Sequence, residues 1–157
     1  MAIVLTDIDI ARLLAEPKPL PRDYQSRLQL RPKSGHKERD LDVTGGSGSE
    51  FQIILRQSIF NPLDFSVILG YSFPTSSVLF RLRRYNGRSH EHTNCIEGGA
   101  FYDFHIHTAT ERYQDAGYAE EHYAEATNRY ADIVGAIQCL IEDCAFELPP
   151  GTQGILL

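Results

Sequence analysis

Apolar and polar positions alternate with a period of two through the middle of the chain and with a helical period towards its end. Phe51, Ile53 and Leu55 alternate within Phe51–Gln57, and Phe65, Val67, Leu69 and Tyr71 within Phe65–Tyr71. Val78, Phe80 and Leu82 face one way in Val78–Tyr85, and Leu79, Arg81, Arg83 and Tyr85 the other. Such alternation marks strands with two unlike faces. Leu28–Lys33, Lys37–Val43 and Phe101–Thr108 read as further strands. Thr44–Glu50 (TGGSGSE) reads as a flexible turn, Asn86-Gly87 as the turn that ends a strand, and 86–100 as a polar loop.

From about residue 109 the period becomes helical. Ala109–Ala116 predicts a short helix stopped near Gly117, and 118–126 reads as helical too. Thr127–Cys144 carries a wide apolar stripe of Ile133, Val134, Ile137, Leu140, Ile141 and Cys144. At the other end, Thr6 is a helix N-cap with Asp7 and Asp9 in the first turn and Ile8, Leu13 and Leu14 on the apolar side. Pro17, Pro19 and Pro21 stop that helix.

Strands first and helix last predict an α+β domain. The expected form is an antiparallel sheet of about five strands. A C-terminal amphipathic helix packs on one face, against Phe80, Leu82, Phe104 and Ile106, and a short helix precedes the sheet. The expected division is one domain over 1–157: lead-in 1–27, sheet 28–108, helical part 109–146 and a loose tail 147–157. The second sheet face is expected to be open.

Composition narrows the class. With 42% hydrophobic and 23% charged residues, 157 residues make one ordinary globular domain. No apolar run reaches the ~18 residues of a membrane span, and the N-terminus lacks a signal-peptide pattern. Three cysteines, an odd number, read as reduced thiols of a cytoplasmic protein. The net charge of -6 hides a split: residues 1–94 hold 13 basic and 10 acidic side chains (+3), and 95–157 hold 2 and 11 (-9). The strand half therefore suits an anion, while the acidic helical half, with Glu120, Glu121 and Glu125, suits a basic protein partner.

The chemistry concentrates in two H-x-H pairs, His90-Glu91-His92 and His105-Ile106-His107. On a strand, i and i+2 share a face, so Asp103, His105 and His107 point one way, with His105 and His107 roughly 6.6 Å apart at Cα. Asp103 and His107 are roughly 13 Å apart by the same rise, too far to share one ion. The pair can chelate a divalent metal such as Zn, with a third ligand from His90, His92, Glu91 or His122. It can also move protons on a phosphodiester without metal, with Arg81, Arg83 and Arg112 (and Arg56 near them) binding phosphate. Or the histidines are structural. Cys95 nearby is a candidate nucleophile, but with no base assigned it reads as a plain loop thiol. The series Tyr113, Tyr118, Tyr123 and Tyr130 reads as the edge of the core.

Several motifs are excluded. DFHIHT (Asp103–Thr108) is similar to the opening metal motif of the PHP phosphoesterases, but that family needs many later His and Asp ligands over a larger barrel, and His122 is the single histidine that follows here. The two H-x-[ST] motifs of the 2H phosphoesterases are missing. TGGSGS is not followed by the Lys-[Ser/Thr] of a P-loop.

The run RLRRYNGRSHEHTN (Arg81–Asn94), then FYDFHIHTATERYQ (Phe101–Gln114) and AEATNRYAD (Ala124–Asp132), resembles a family of small bacterial proteins of unknown function over roughly 28–146. The resemblance implies one unit of bacterial or phage type and assigns no catalytic role.

The expectation is therefore a small phosphodiesterase or nuclease-like protein, of the kind found in toxin or defence systems. His105, His107, His92 and His90 would be its acid–base or metal-binding groups, and Arg81, Arg83 and Arg112 its phosphate ligands. RNA or another phosphodiester would lie on the sheet face. The alternative is a non-catalytic binding module, inhibitor- or antitoxin-like, acting through the acidic C-terminal helical surface.

Overall fold

The computed structural model of the chain describes residues 4–152. In chain order the elements are α1 (Asp7–Ala15), β1 (Lys18–Pro19), α2 (Tyr24–Arg27), β2 (Arg31–Lys33), β3 (His36–Thr44), β4 (Glu50–Ser58), β5 (Phe65–Ser72), β6 (Leu79–Asn86), β7 (His92–Thr93), β8 (Ala100–Phe101), β9 (His105–Thr108), α3 (Glu111–Asp115), β10 (Ala124–Ala126), α4 (Ile133–Asp143) and β11 (Phe146–Glu147). The class is α+β. The main sheet is antiparallel, with seven strands rather than about five, in the order β10-β9-β6-β5-β4-β3-β2. No helix among the described residues is long and apolar enough to cross a membrane.

The core lies between one sheet face and α4. Ile53, Leu55, Val67, Leu69, Leu82 and Tyr85 are fully buried from the sheet side, and Ala136 and Leu140 from the helix. The predicted stripe of α4 is buried except Val134, and Phe104 and Ile106 pack at the margin of this core. The helix starts at Ile133 instead of Thr127, because Asp132 is extended and its Oδ1 accepts the Gly135 N–H at 2.8 Å. Its C-terminal turn is followed by Ala145 at φ 60°, a left-handed position usually taken by glycine.

In α1 the Thr6 cap is completed by Asp9, whose carboxylate accepts the Thr6 N–H while the Thr6 hydroxyl accepts the Asp9 N–H, each at 3.1 Å. Ile10, not Ile8, enters the core; Ile8 is 73% exposed. After the helix, Lys18 is wholly buried. Its ammonium donates to the carbonyls of Leu13, Leu14, Glu16 and Cys144 at 2.7–3.0 Å, so it closes the ends of both α1 and α4. Beside it β1 pairs in parallel with β11. The start of the expected loose tail is thus docked, with Leu148 against the core; residues 153–157 lie outside the described residues. The TGGSGSE turn is also fixed, by Glu16, whose carboxylate accepts from the Ser47 and Ser49 N–H groups and the Ser49 hydroxyl.

Two departures from simple periodicity shape the site. In β6, Leu69 pairs with Arg83 but Gly70 pairs with Arg81, so Leu82 is an extra residue, a β-bulge. Beyond it the alternation reverses: Arg83 and Tyr85 face α4, and Arg84 and Asn86 face the other side. Arg81 and Arg83 therefore do not share a face. Second, 118–126 is not helical. Gly117 at φ 83° ends α3, a turn follows, and β10 adds to β9 as the edge strand, placing a strand inside the expected helical part.

A three-histidine cluster on the second sheet face

The sheet face away from α4 is not open at its β9 end. The 87–104 segment folds over it, carrying the small β7–β8 hairpin. The predicted strand Phe101–Thr108 is split by this: β8 belongs to the hairpin and β9 to the sheet, and Asp103 and Phe104 form the corner between them. Asp103 consequently leaves the histidine face. Its backbone carbonyl accepts from His105 Nδ1 at 2.8 Å.

His105 and His107 project from β9 as the spacing requires, opposite Asn86 and Arg84 of β6. His92 comes down from β7 to meet them. The ring centroids of His92 lie 5.4 Å from those of His105 and 4.8 Å from those of His107, and His105–His107 is 4.9 Å. One nitrogen of each ring lies within 4.8 Å of the others, which is close enough to hold a metal ion, and all three residues are buried.

The hydrogen bonds fix which nitrogens carry the proton. His105 Nδ1 meets a carbonyl, and so does His107 Nδ1, at Glu121 O, 2.8 Å. Both must donate. His92 Nε2 lies 2.9 Å from Asn94 Oδ1, an oxygen that already accepts the Ala124 N–H, while the Asn94 amide donates to the Ala124 carbonyl. His92 Nε2 must donate as well. His92 Nδ1 and the Nε2 atoms of His105 and His107 are left with lone pairs. An imidazole with one nitrogen anchored to an oxygen and the other free is the usual state of a metal-ligating histidine. The Asn86 amide, oriented by the Ser66 hydroxyl, donates towards the Nε2 atoms of His107 at 3.3 Å and His105 at 3.5 Å. Tyr130 reaches through from the core side to the Asn86 and His105 carbonyls and ties β6 to β9 beneath the cluster.

Electrostatics keep the rings neutral. Burial is the main cause for all three and lowers their pKa values. The neighbouring histidines add to it, and Arg84 does so for His105 and His107; His107 falls to about 3. Neutral imidazole is the form that binds a metal.

The other expected site residues are distributed unevenly. His90 is exposed at the rim, its ring 5.8 Å from that of His105. Glu91 is exposed. His122 lies beside His92 at 5.1 Å, but its Nε2 is turned to Thr93 O at 3.2 Å and Cys95 Sγ at 3.1 Å, and its ring sits between Tyr113 and Tyr118. Arg83 is on the opposite face, between the Tyr85 hydroxyl and Asp143, which Arg129 also grips. Arg112 pairs with Glu97 and covers the Tyr123 and Tyr113 rings, separated from the cluster by Tyr113 and His122. Arg81 does lie on the histidine side, 3.7 Å from Glu121.

The face also contains residues that the sequence reading passed over. Arg84, brought there by the bulge, lies 3.2 Å from buried Glu121. Asn86 and Asn94 orient the imidazoles. Asn94, two residues beyond His92 in a Gly/Asn-rich loop, reads as an ordinary turn residue. Nothing in local periodicity marks it as the group that pairs with the backbone of β10. The acidic series does not form a helical surface either: Glu121 is buried, the Glu120 carboxylate accepts the Arg81 N–H, and Glu125 lies on β10 and accepts from Tyr123.

No family model, no curated protein and no solved structure matches the chain.

Proposed function

We propose that the protein is a metal-dependent phosphodiesterase of nuclease type, with His92, His105 and His107 as the metal ligands. The observation that carries this reading is the close grouping of three buried rings, with one nitrogen of each within 4.8 Å of the others, while His105 Nδ1 and His107 Nδ1 are committed to backbone carbonyls and His92 Nε2 to Asn94 Oδ1. Three imidazoles are the ligand set of a zinc site that keeps a position for water or substrate. Bound there, a divalent ion would act as a Lewis acid on a phosphoryl oxygen and make bound water acidic.

The chain's own residues supply the rest. Asn94, Asp103 O and Glu121 O hold the rings in their tautomers. Arg84 and Arg81 place positive charge on the same face, where a phosphodiester needs it. Their shared partner, Glu121 Oε2, lies 3.2 Å from Arg84 and 3.7 Å from Arg81 and restrains them. His90, at the rim with its ring 5.8 Å from that of His105, would donate a proton to a leaving oxygen.

The test begins with metal analysis of the purified protein and thermal melts with Zn²⁺ and Mn²⁺. Bound metal at one equivalent, or a melting temperature raised by several degrees, is expected for the wild type and not for His105→Ala/His107→Ala. Cleavage of single-stranded RNA and DNA should then disappear in His107→Ala while the circular dichroism spectrum is kept. Metal bound without any cleavage would make the centre structural; no metal and no stabilisation would overturn the reading.

A further inference from the structure

Cross-strand register extends the cluster into a row. His105 is opposite Asn86, Asn86 opposite Ser66, and Ser66 opposite Arg56. Successive strands are about 4.8 Å apart, so Arg56 and His105 are separated by roughly 14 Å at Cα. At the Arg56 end lies a cleft of about 370 Å³ lined by His36, Arg56, Gln57, Ser58, Asp64 and Ser66.

The charges on this face are unequally committed. Arg84 and Arg81 share Glu121. Among the described residues no carboxylate lies within 4.0 Å of the Arg56 guanidinium, which meets His36 Nε2 at 3.5 Å; Glu38, opposite it on β3, is paired with Lys33 and His36. His36 is itself held, by Ser34 O and the Glu38 carboxylate. Asp64, the acid of the cleft, accepts from the Ser89 hydroxyl at 3.2 Å. The cleft thus presents an exposed guanidinium with the Ser58 hydroxyl beside it, which accepts the Phe60 and Asn61 N–H groups and keeps its own hydrogen to donate, and this suits a phosphate.

We propose that this cleft is a phosphate subsite, and that Arg56 holds a backbone phosphate of a single-stranded polynucleotide whose scissile bond lies at the three-histidine centre. This rests on the phosphodiesterase reading and adds the substrate class. One phosphate cannot bridge 14 Å, whereas a short strand can, so a mononucleotide does not fit the row. Ser66 links the two ends: its hydroxyl donates to Asn86, the residue facing His105 and His107.

The test uses a fluorescently labelled ten-nucleotide RNA at low salt, with chelator present so that binding is read without turnover. Arg56→Gln should weaken binding about three- to tenfold and reduce the slope of log K against log salt by about one, while Arg56→Lys keeps most of the slope. Zinc content should be the same in both variants as in wild type. Arg56→Gln binding like wild type would overturn the subsite, as would a wild type that binds phosphatidylserine vesicles but not the RNA. The two proposals fail separately. Arg56-dependent binding with no cleavage by wild type would keep the subsite and end the hydrolase reading. Cleavage that Arg56→Gln leaves unaltered would do the reverse.

Discussion

The buried histidines should make the metal-free protein acid-labile in a defined window, and His107 sets the size of the effect. In the fold its pKa falls from the ordinary 6.5 to about 3, first because the ring is buried, then because His105, His92 and Arg84 are near. The unfolded chain therefore binds a proton between pH 6.5 and pH 3 that the folded chain refuses. The stability contribution is complete above pH 6.5 and is lost as pH falls towards 3. At about 1.4 kcal/mol per pH unit, His107 alone costs roughly 3 kcal/mol at pH 4 relative to neutrality. His92 and His105 are shifted in the same direction and add to the loss. In His107→Gln the amide can donate to Glu121 O and accept from Asn86, so most of the local bonding survives without a titrating group. The variant should lose about 1–2 kcal/mol at pH 7. Its stability should then fall less steeply, by about one proton's worth, between pH 6 and pH 4. Urea unfolding in chelator at several pH values measures this directly. Parallel pH profiles for wild type and His107→Gln would refute the reasoning.

Two further expectations concern the frame. Lys18→Met keeps the stem and removes the donor from four carbonyls, two of them buried, so it should cost about 3–5 kcal/mol; a loss under 1 kcal/mol in urea unfolding would show that the carbonyls find other partners. Ala145→Gly relieves the left-handed backbone after α4 and should raise stability by about 0.5–1 kcal/mol, seen as a rise of roughly 1–3 °C in Tm; a fall in Tm would count against strain at that position.

Elements with a clear period were legible in the chain. The four long strands β3 to β6 agree with their predicted spans to within a few residues, because one buried face imposes strict alternation. The Thr6 cap and the stripe of α4 were legible for the same reason. What escaped depends on partners distant in sequence. The bulge at Leu82 inserts one residue without any local sign, and it exchanges Arg83 for Arg84 on the histidine face. β10 is three residues long, and its Ala-Glu-Ala pattern is as good for a helix; it is a strand because β9 and the Asn94 side chain supply its hydrogen bonds. The histidine pair on β9 was legible from spacing alone. That His92 joins it, His90 stays at the rim and His122 turns away depends on how 87–104 folds back, which no short-range pattern records.

Lys18 also bears on the order in which the chain becomes structured. Its ammonium bonds to the carbonyl of a residue 126 positions later, and β1 finds its partner strand only in Phe146–Glu147. During synthesis the first twenty residues leave the ribosome long before those partners exist. The sheet from β2 to β6 can assemble from neighbouring hairpins while translation continues, and Glu16 can settle on the Thr44–Glu50 turn, but Lys18 and β1 complete their bonds only when the last turn of α4 and Phe146–Glu147 emerge. Closure of both ends therefore depends on one late segment, and truncation anywhere before residue 146 should leave the Lys18 ammonium and β1 without these partners.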